Sequence, residues 1–108
     1  MDLKLKGKTA LVTGASAGIG RAIAKGLAAE GVKVCMAARR LALLEELAAE
    51  IVRDGHERPH AEAVDLMHDE GPKSLAEAAL RKMGHVDILV NAAGGSEELD
   101  WLKPGLRA

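Results

Sequence analysis

Apolar and polar positions along this chain fall into segments whose period changes several times. Thr9-Ala10-Leu11-Val12 is a short apolar run with β-branched ends behind Lys6-Gly7-Lys8, the pattern of a buried strand. Ile19, Ile23 and Leu27 then recur every fourth residue among Arg21, Lys25 and Glu30 until Gly31, which predicts an amphipathic helix with a glycine stop. Val32 to Ala38 is a second strand pattern ending at Arg39-Arg40. A second helix follows, with Leu44, Leu47, Ala48 and Ile51 as its apolar stripe and Glu45, Glu46, Glu50 and Arg53 facing water, closed by Asp54-Gly55. His60 to Val64 alternates as a third strand leading to Asp65. From Pro72, a favoured first helical residue, Leu75, Ala76, Ala79, Leu80 and Met83 form a third stripe that stops at Gly84. Val86 to Val90 is the last strand pattern and runs into Asn91-Ala92-Ala93-Gly94-Gly95.

Strands that alternate with helices of about 12 residues imply an α/β fold, a parallel sheet with right-handed crossovers. The doubly wound order 3-2-1-4 makes the first and fourth strands neighbours where the winding reverses. In that order the turn after the first strand and the Asn91 segment flank one crevice, outside the carboxyl ends of the strands, where ligands bind in such sheets.

The turn itself is Thr13-Gly14-Ala15-Ser16-Ala17-Gly18-Ile19-Gly20. Gly14 permits a sharp reversal, Gly18 permits close approach of a pyrophosphate to the backbone, and Gly20 lets the helix lie near the sheet. Ser16 adds a hydroxyl that could donate to a phosphate oxygen. The helix start offers unpaired N–H groups and a partial positive charge. The spacing is G-x-x-x-G-x-G rather than G-x-G-x-x-G, so the general dinucleotide fingerprint is not matched as written. The end of the second strand selects the cofactor. An NAD site has an acid about 20 residues past the glycines to hold the ribose 2′-hydroxyl. Ala37-Ala38-Arg39-Arg40 has none, and an arginine pair suits a 2′-phosphate by charge and by its planar fork of donors. NADP is therefore expected rather than NAD, with Arg39 the first candidate and Arg40 the second.

Composition narrows the picture further. At 108 residues the chain holds at most one domain, and 48% hydrophobic with 29% charged residues is a globular balance. A net charge of -1 gives no basic excess for nucleic acid or an anionic membrane. No apolar run reaches a membrane span, and Met1-Asp2-Leu3-Lys4 does not open a signal peptide, so a cytoplasmic location is expected. Cys35 is the sole cysteine and falls in a strand pattern, as a buried thiol would. His56, His60, His68 and His85 show no metal-ligand spacing, and no metal site is expected.

Taken together, Thr13-Gly14-x-x-x-Gly18-Ile19-Gly20, Asp65-Leu66, Asp87 ahead of an apolar strand, and Asn91-Ala92-Ala93-Gly94 resemble the N-terminal, cofactor-binding part of the short-chain dehydrogenase/reductase family, from about Lys6 to Gly95. The resemblance implies a Rossmann-type sheet and hydride transfer between a nicotinamide and an alcohol or carbonyl substrate. It implies that Gly14, Ser16, Ala17, Gly18, Ile19 and Gly20 hold the pyrophosphate and adjoining ribose, and that Arg39, with Arg40, meets the 2′-phosphate. Asp65 and the Leu66 backbone would contact the adenine, while Asn91, Ala92, Ala93 and Gly94 would line the adenosine and nicotinamide side of the crevice. Ala92 stands where the family often has a second Asn.

The family's chemistry uses a Ser, a Tyr and a Lys four residues after that Tyr, well past the Asn91 segment. This chain contains no tyrosine, and neither Ser96 nor Lys103 maps onto those roles, so no catalytic residue is assigned. Residues 1–95 form the expected cofactor-binding segment. Residues 96–108 are an atypical tail in which Trp101, the one aromatic residue, accompanies Leu99, Leu102 and Leu106 as an apolar group suited to packing. The family is more than twice this length, so the expected enzyme is present only as its cofactor-binding part and is inactive by itself. The alternatives are a stand-alone dinucleotide-binding module without catalysis, or a truncated product. An uncovered fourth strand would invite pairing with another chain, hence a possible homo-oligomer.

Overall fold

Strands and helices alternate without exception along the computed structural model, which describes residues 4–16, 18–67 and 70–92. The elements are β1 (Thr9–Thr13), α1 (Gly18–Ala29), β2 (Lys33–Ala38), α2 (Leu41–Arg53), β3 (His60–Ala63), α3 (Gly71–Met83) and β4 (Ile88–Asn91). The four strands are parallel and ordered β3-β2-β1-β4, the doubly wound order expected from the sequence. Leu11 of β1 lies opposite Cys35 on β2 and Leu89 on β4.

Alternate residues of the central strands feed two cores. Ala10 and Val12 of β1, with Val34 and Met36 of β2, pack against Ala24 and Ala28 of α1 and Leu44, Leu47, Ala48 and Ile51 of α2. On the other face Leu11, Cys35 and Ala37 meet Leu75 and Ala79 of α3. Both central strands are thus covered on both sides, which is why they read as unbroken apolar runs.

Three expectations about faces are corrected. The α1 residues buried outright are Gly20, Ala24 and Ala28, whereas of the expected Ile19, Ile23, Leu27 series Leu27 packs against the core only partly buried and Ile19 is 74% exposed. The helix lies so near the sheet that only the smallest residues fit beneath it, and the larger ones are turned to its flanks. On α3, Leu75 and Ala79 are buried as expected, but Ala78 joins them while Ala76 and Leu80 are exposed. Glu50 does not simply face water: it forms ion pairs with both Arg21 and Lys25 of α1. The hydrogen bond from Lys25 is the main reason its carboxyl is held below the ordinary glutamate value.

Two glycines fix how closely helices approach the strand ends. A Cβ at position 20 would run into the carbonyl oxygen of Gly14 and lie 3.1 Å from the Ala92 Cβ. At Gly71, the start of α3, a Cβ would run into the carbonyl oxygen of Asp65. Gly26, on the outer side of α1, has nothing within 4 Å of an added Cβ.

At the amino ends of β1 and β4 a polar clasp joins the strands. The buried Thr9 donates its amide to Asp87 Oδ2 at 2.9 Å and its hydroxyl to the His85 carbonyl at 2.8 Å. The Asp87 amide donates back to Thr9 Oγ1 at 3.0 Å, and His85 Nε2 lies 3.2 Å from the same carboxylate. The Thr9 amide is the main cause holding the Asp87 carboxyl below its ordinary 3.8, with the neighbouring His85 charge acting in the same direction.

Two predictions follow from these contacts. Gly20→Ala should lower stability by about 2 kcal/mol or more, because backbone must move, whereas Gly26→Ala should raise it by about 0.5–1 kcal/mol through helix propensity. Urea unfolding of both variants checks this, and equal effects would refute the close-approach argument. The Asp87 contribution is complete above pH 3.8 and is lost as pH falls through the lowered folded-state value. Asp87→Asn should therefore melt below the parent chain at pH 7, with the gap closing under acid. A gap independent of pH would show that the charge plays no part.

Candidate cofactor site

The site begins where β1 runs out. Gly14 turns the chain with φ +68°, and the buried Ala15 donates its amide to the Ala37 carbonyl at 3.3 Å, fixing the loop against the end of β2. Gly18 opens α1 at φ +58°, and a Cβ there would meet nothing within 4 Å. The space before the helix head is open, and the backbone is exposed to it. First-turn amides of a helix have no intrahelical acceptor, and no acid sits in the first turn of α1 to neutralise its positive end.

The second wall is the end of β2 and the head of α2. Arg39 and Arg40 are exposed here. Arg40 is the N-cap residue, with φ -104° and ψ 103°, and supplies no side-chain cap, while the first turn of α2 also lacks an acid. Two helix heads of uncompensated positive potential therefore face the same space, and two guanidinium groups add to it.

The third wall follows β3. Val64 donates its amide to the Ala38 carbonyl at 2.9 Å, carrying the strand pairing one residue further. Asp65 Oδ1 accepts the Met67 amide at 2.9 Å, so the carboxylate shapes its own turn. On the fourth side the Ala92 amide donates to the Thr13 carbonyl at 3.2 Å, and Asn91 Oδ1 accepts the Thr13 hydroxyl at 2.7 Å.

These walls enclose a cavity of about 560 Å³ across the carboxyl ends of the strands. Gly14, Ser16, Gly18 and Ile19 line it from the β1 side, Arg39 and Arg40 from the β2 side, Asp65 and Leu66 from the β3 side, and Ala92 from β4. Of the other expected residues, Gly20 sits beneath the helix head, and Asn91 is engaged with Thr13. Ala17, Ala93 and Gly94 lie outside the described residues, as does the 96–108 tail with Trp101.

The sequence reading missed five lining residues: Ala37, Ala38, Leu43, Val64 and Met67. Leu43 carried a usable signal, since it is an apolar residue one position off the buried Leu44, Leu47, Ile51 stripe. Val64 and Met67 bracket Asp65 and Leu66 and gave no separate signal. Apart from the cavity, Cys35 is wholly buried, and burial pushes its thiol up to about 11, so it is protonated and shielded. Among the described residues no group of three or more His, Cys, Asp or Glu could hold a metal ion, and no helix is long and apolar enough to cross a membrane.

Comparison with known proteins agrees with this geometry. A family model described as short chain dehydrogenase matches residues 8–104. An uncharacterized oxidoreductase of Staphylococcus saprophyticus is 42% identical over 92 residues, covering 85% of this chain and 39% of its own length. Farnesol dehydrogenase of Aedes aegypti is 41% identical over 96 residues, covering 89% and 39%. Among solved structures, L-sorbose reductase of Gluconobacter frateurii, in complex with NADPH and L-sorbose, superposes with a TM-score of 0.82 at 40% identity, covering 88% of this chain and 36% of that one. A 3-ketoacyl-(acyl-carrier-protein) reductase of Brucella melitensis, in complex with NADH, gives 0.71 at 41% identity, covering 79% and 33%. The chain thus spans about two fifths of the length of these relatives or less. The strand order, the crevice at the winding reversal and the matched sequence converge: this chain belongs to the short-chain dehydrogenase family of oxidoreductases.

Proposed function

We propose that this chain is the cofactor-binding part of an NADP-dependent oxidoreductase acting on an alcohol or carbonyl compound. The observation that carries this reading is the cavity bounded by two unneutralised helix heads, with Arg39 and Arg40 where an NAD site has an acid. The open space before Gly18 suits a diphosphate drawn against the amides of α1. Arg39, with Arg40 beside it, would hold the 2′-phosphate. The Asp65 carboxylate and the Leu66 backbone would meet the adenine edge, with Val64 and Met67 adding apolar contact.

Family membership by itself does not choose the cofactor, because one similar structure carries NADPH and another NADH. The arginine pair supports NADP. When bound, the nicotinamide supplies or accepts a hydride. The residues of this chain hold and orient it, and none of them is assigned the proton transfer to substrate. That step needs an acid/base such as a phenol, and the sequence has no tyrosine.

A second reading, a binding module without turnover, is favoured by that missing phenol. Both readings expect the same of this chain when a carbonyl compound is added. The 108-residue chain should bind NADPH and give no oxidation of it on adding L-sorbose or farnesal, and steady turnover would overturn the assignment of no catalytic residue.

Cofactor choice is tested by titrating NADPH and NADH into the chain. NADPH should bind about 10-fold to 100-fold more tightly, the range for charge-assisted bonds to one phosphate. Arg39→Ala should remove most of that preference, leaving NADH affinity near its starting value, and Arg40→Ala should remove less. Equal affinities for the two cofactors would refute the NADP reading.

A further inference from the structure

α1 and α2 provide facing walls of the cavity, through Gly18 and Ile19 on one side and Arg40 and Leu43 on the other. The residues α1 buries outright against the sheet are Gly20, Ala24 and Ala28, a shallow surface, and Leu27 is the long α1 side chain packed against the same core. A second, polar tie runs from α1 to α2. Glu50 of α2 provides it, with its two carboxylate oxygens taking Arg21 and Lys25 of α1 separately. The Glu50 side chain is only one-quarter exposed. Arg21 and Lys25 are spaced i and i+4 and carry like charge, and Arg21 is in the first turn, where a cation opposes the helix dipole. Without Glu50 both features would work against this arrangement of α1.

On the reading that the cavity takes NADP, we propose that Glu50 is a positioning residue that sets the spacing between the α1 and α2 walls, so that one ligand can engage both at once. The diphosphate meets α1 while the 2′-phosphate meets Arg39 and the head of α2. Affinity for the whole dinucleotide depends on the two being held at a matched distance. A ligand that does not reach α1 does not depend on it.

The test compares NADPH with adenosine 2′-monophosphate on the parent chain, on Glu50→Gln, and on a double variant, Arg21→Gln with Lys25→Gln, that removes the same bridges from the other helix. Circular dichroism melts establish that each variant is folded at the titration temperature. NADPH should bind about fivefold more weakly to both variants, while adenosine 2′-monophosphate binds as it does to the parent. A general loosening of the fold would weaken both ligands together and would overturn the proposal, as would unchanged NADPH binding in either variant. Loss from Glu50→Gln alone would overturn it too. If the parent chain binds neither ligand, the NADP reading itself fails and takes the inference with it. Normal NADPH binding by the parent with no selective loss in the variants removes only the role of Glu50.

Discussion

A methyl group at position 20 would occupy the place of the Gly14 carbonyl oxygen, so the head of α1 can reach the end of β1 only because residue 20 has no side chain. Much of the crevice follows from that approach. It brings the first-turn amides of α1 to the edge of the sheet, leaves the space before Gly18 open, and draws Ala92 of the β4 end to within van der Waals reach of the same spot. Gly71 repeats the device on the β3 side, where α3 starts against the Asp65 carbonyl and holds the turn that presents Asp65 and Leu66. Both contacts are backbone against backbone, which makes the walls stiff where a ligand would press on them.

The two ends of the sheet are built differently. At the amino end, Thr9, His85 and Asp87 close the gap between β1 and β4 with side-chain and main-chain hydrogen bonds. At the carboxyl end, the Thr13 hydroxyl donates to Asn91 Oδ1 between β1 and β4, and single amides tie Ala15 to Ala37, Val64 to Ala38 and Ala92 to Thr13. The crevice there follows from the order β3-β2-β1-β4, since α1 and α3 pack on opposite faces of the sheet. The Thr9–Asp87 clasp therefore sits at the end of the sheet away from the cavity.

How far the sequence reveals this depends on the range of each interaction. Strand order was legible because alternation and apolar runs are local, and the parallel, doubly wound arrangement has few solutions. The arginines at the end of β2 were legible by contrast with the acid expected there. The α1 face was not, because Ile19, Ile23 and Leu27 look like the inward stripe to any measure of hydrophobicity. What decides the face is the distance from helix to sheet, and that distance is set by Gly20 rather than by the largest residues. Glu50 was misread for a related reason. Its partners lie 29 and 25 residues away, and no spacing rule within α2 points to them. Met67 and Val64 entered the cavity through a turn whose shape depends on one Asx hydrogen bond.

The division between binding and chemistry then has a physical basis. The described residues proposed to hold the dinucleotide come from four strand ends and two helix heads, within residues 14 to 92. Such a site needs small residues, backbone donors and fixed positive charge, all of which act without a proton leaving or arriving. Proton transfer needs the opposite, a titratable group placed against the substrate with its own electrostatic support. Among the described residues, the Asp65 carboxylate accepts the Met67 amide, and the Cys35 thiol is buried in the other core, where burial pushes it up to about 11. One fold can carry many substrate-binding surfaces, which fits a family whose relatives include a farnesol dehydrogenase matched by sequence and a sorbose reductase that superposes on this chain.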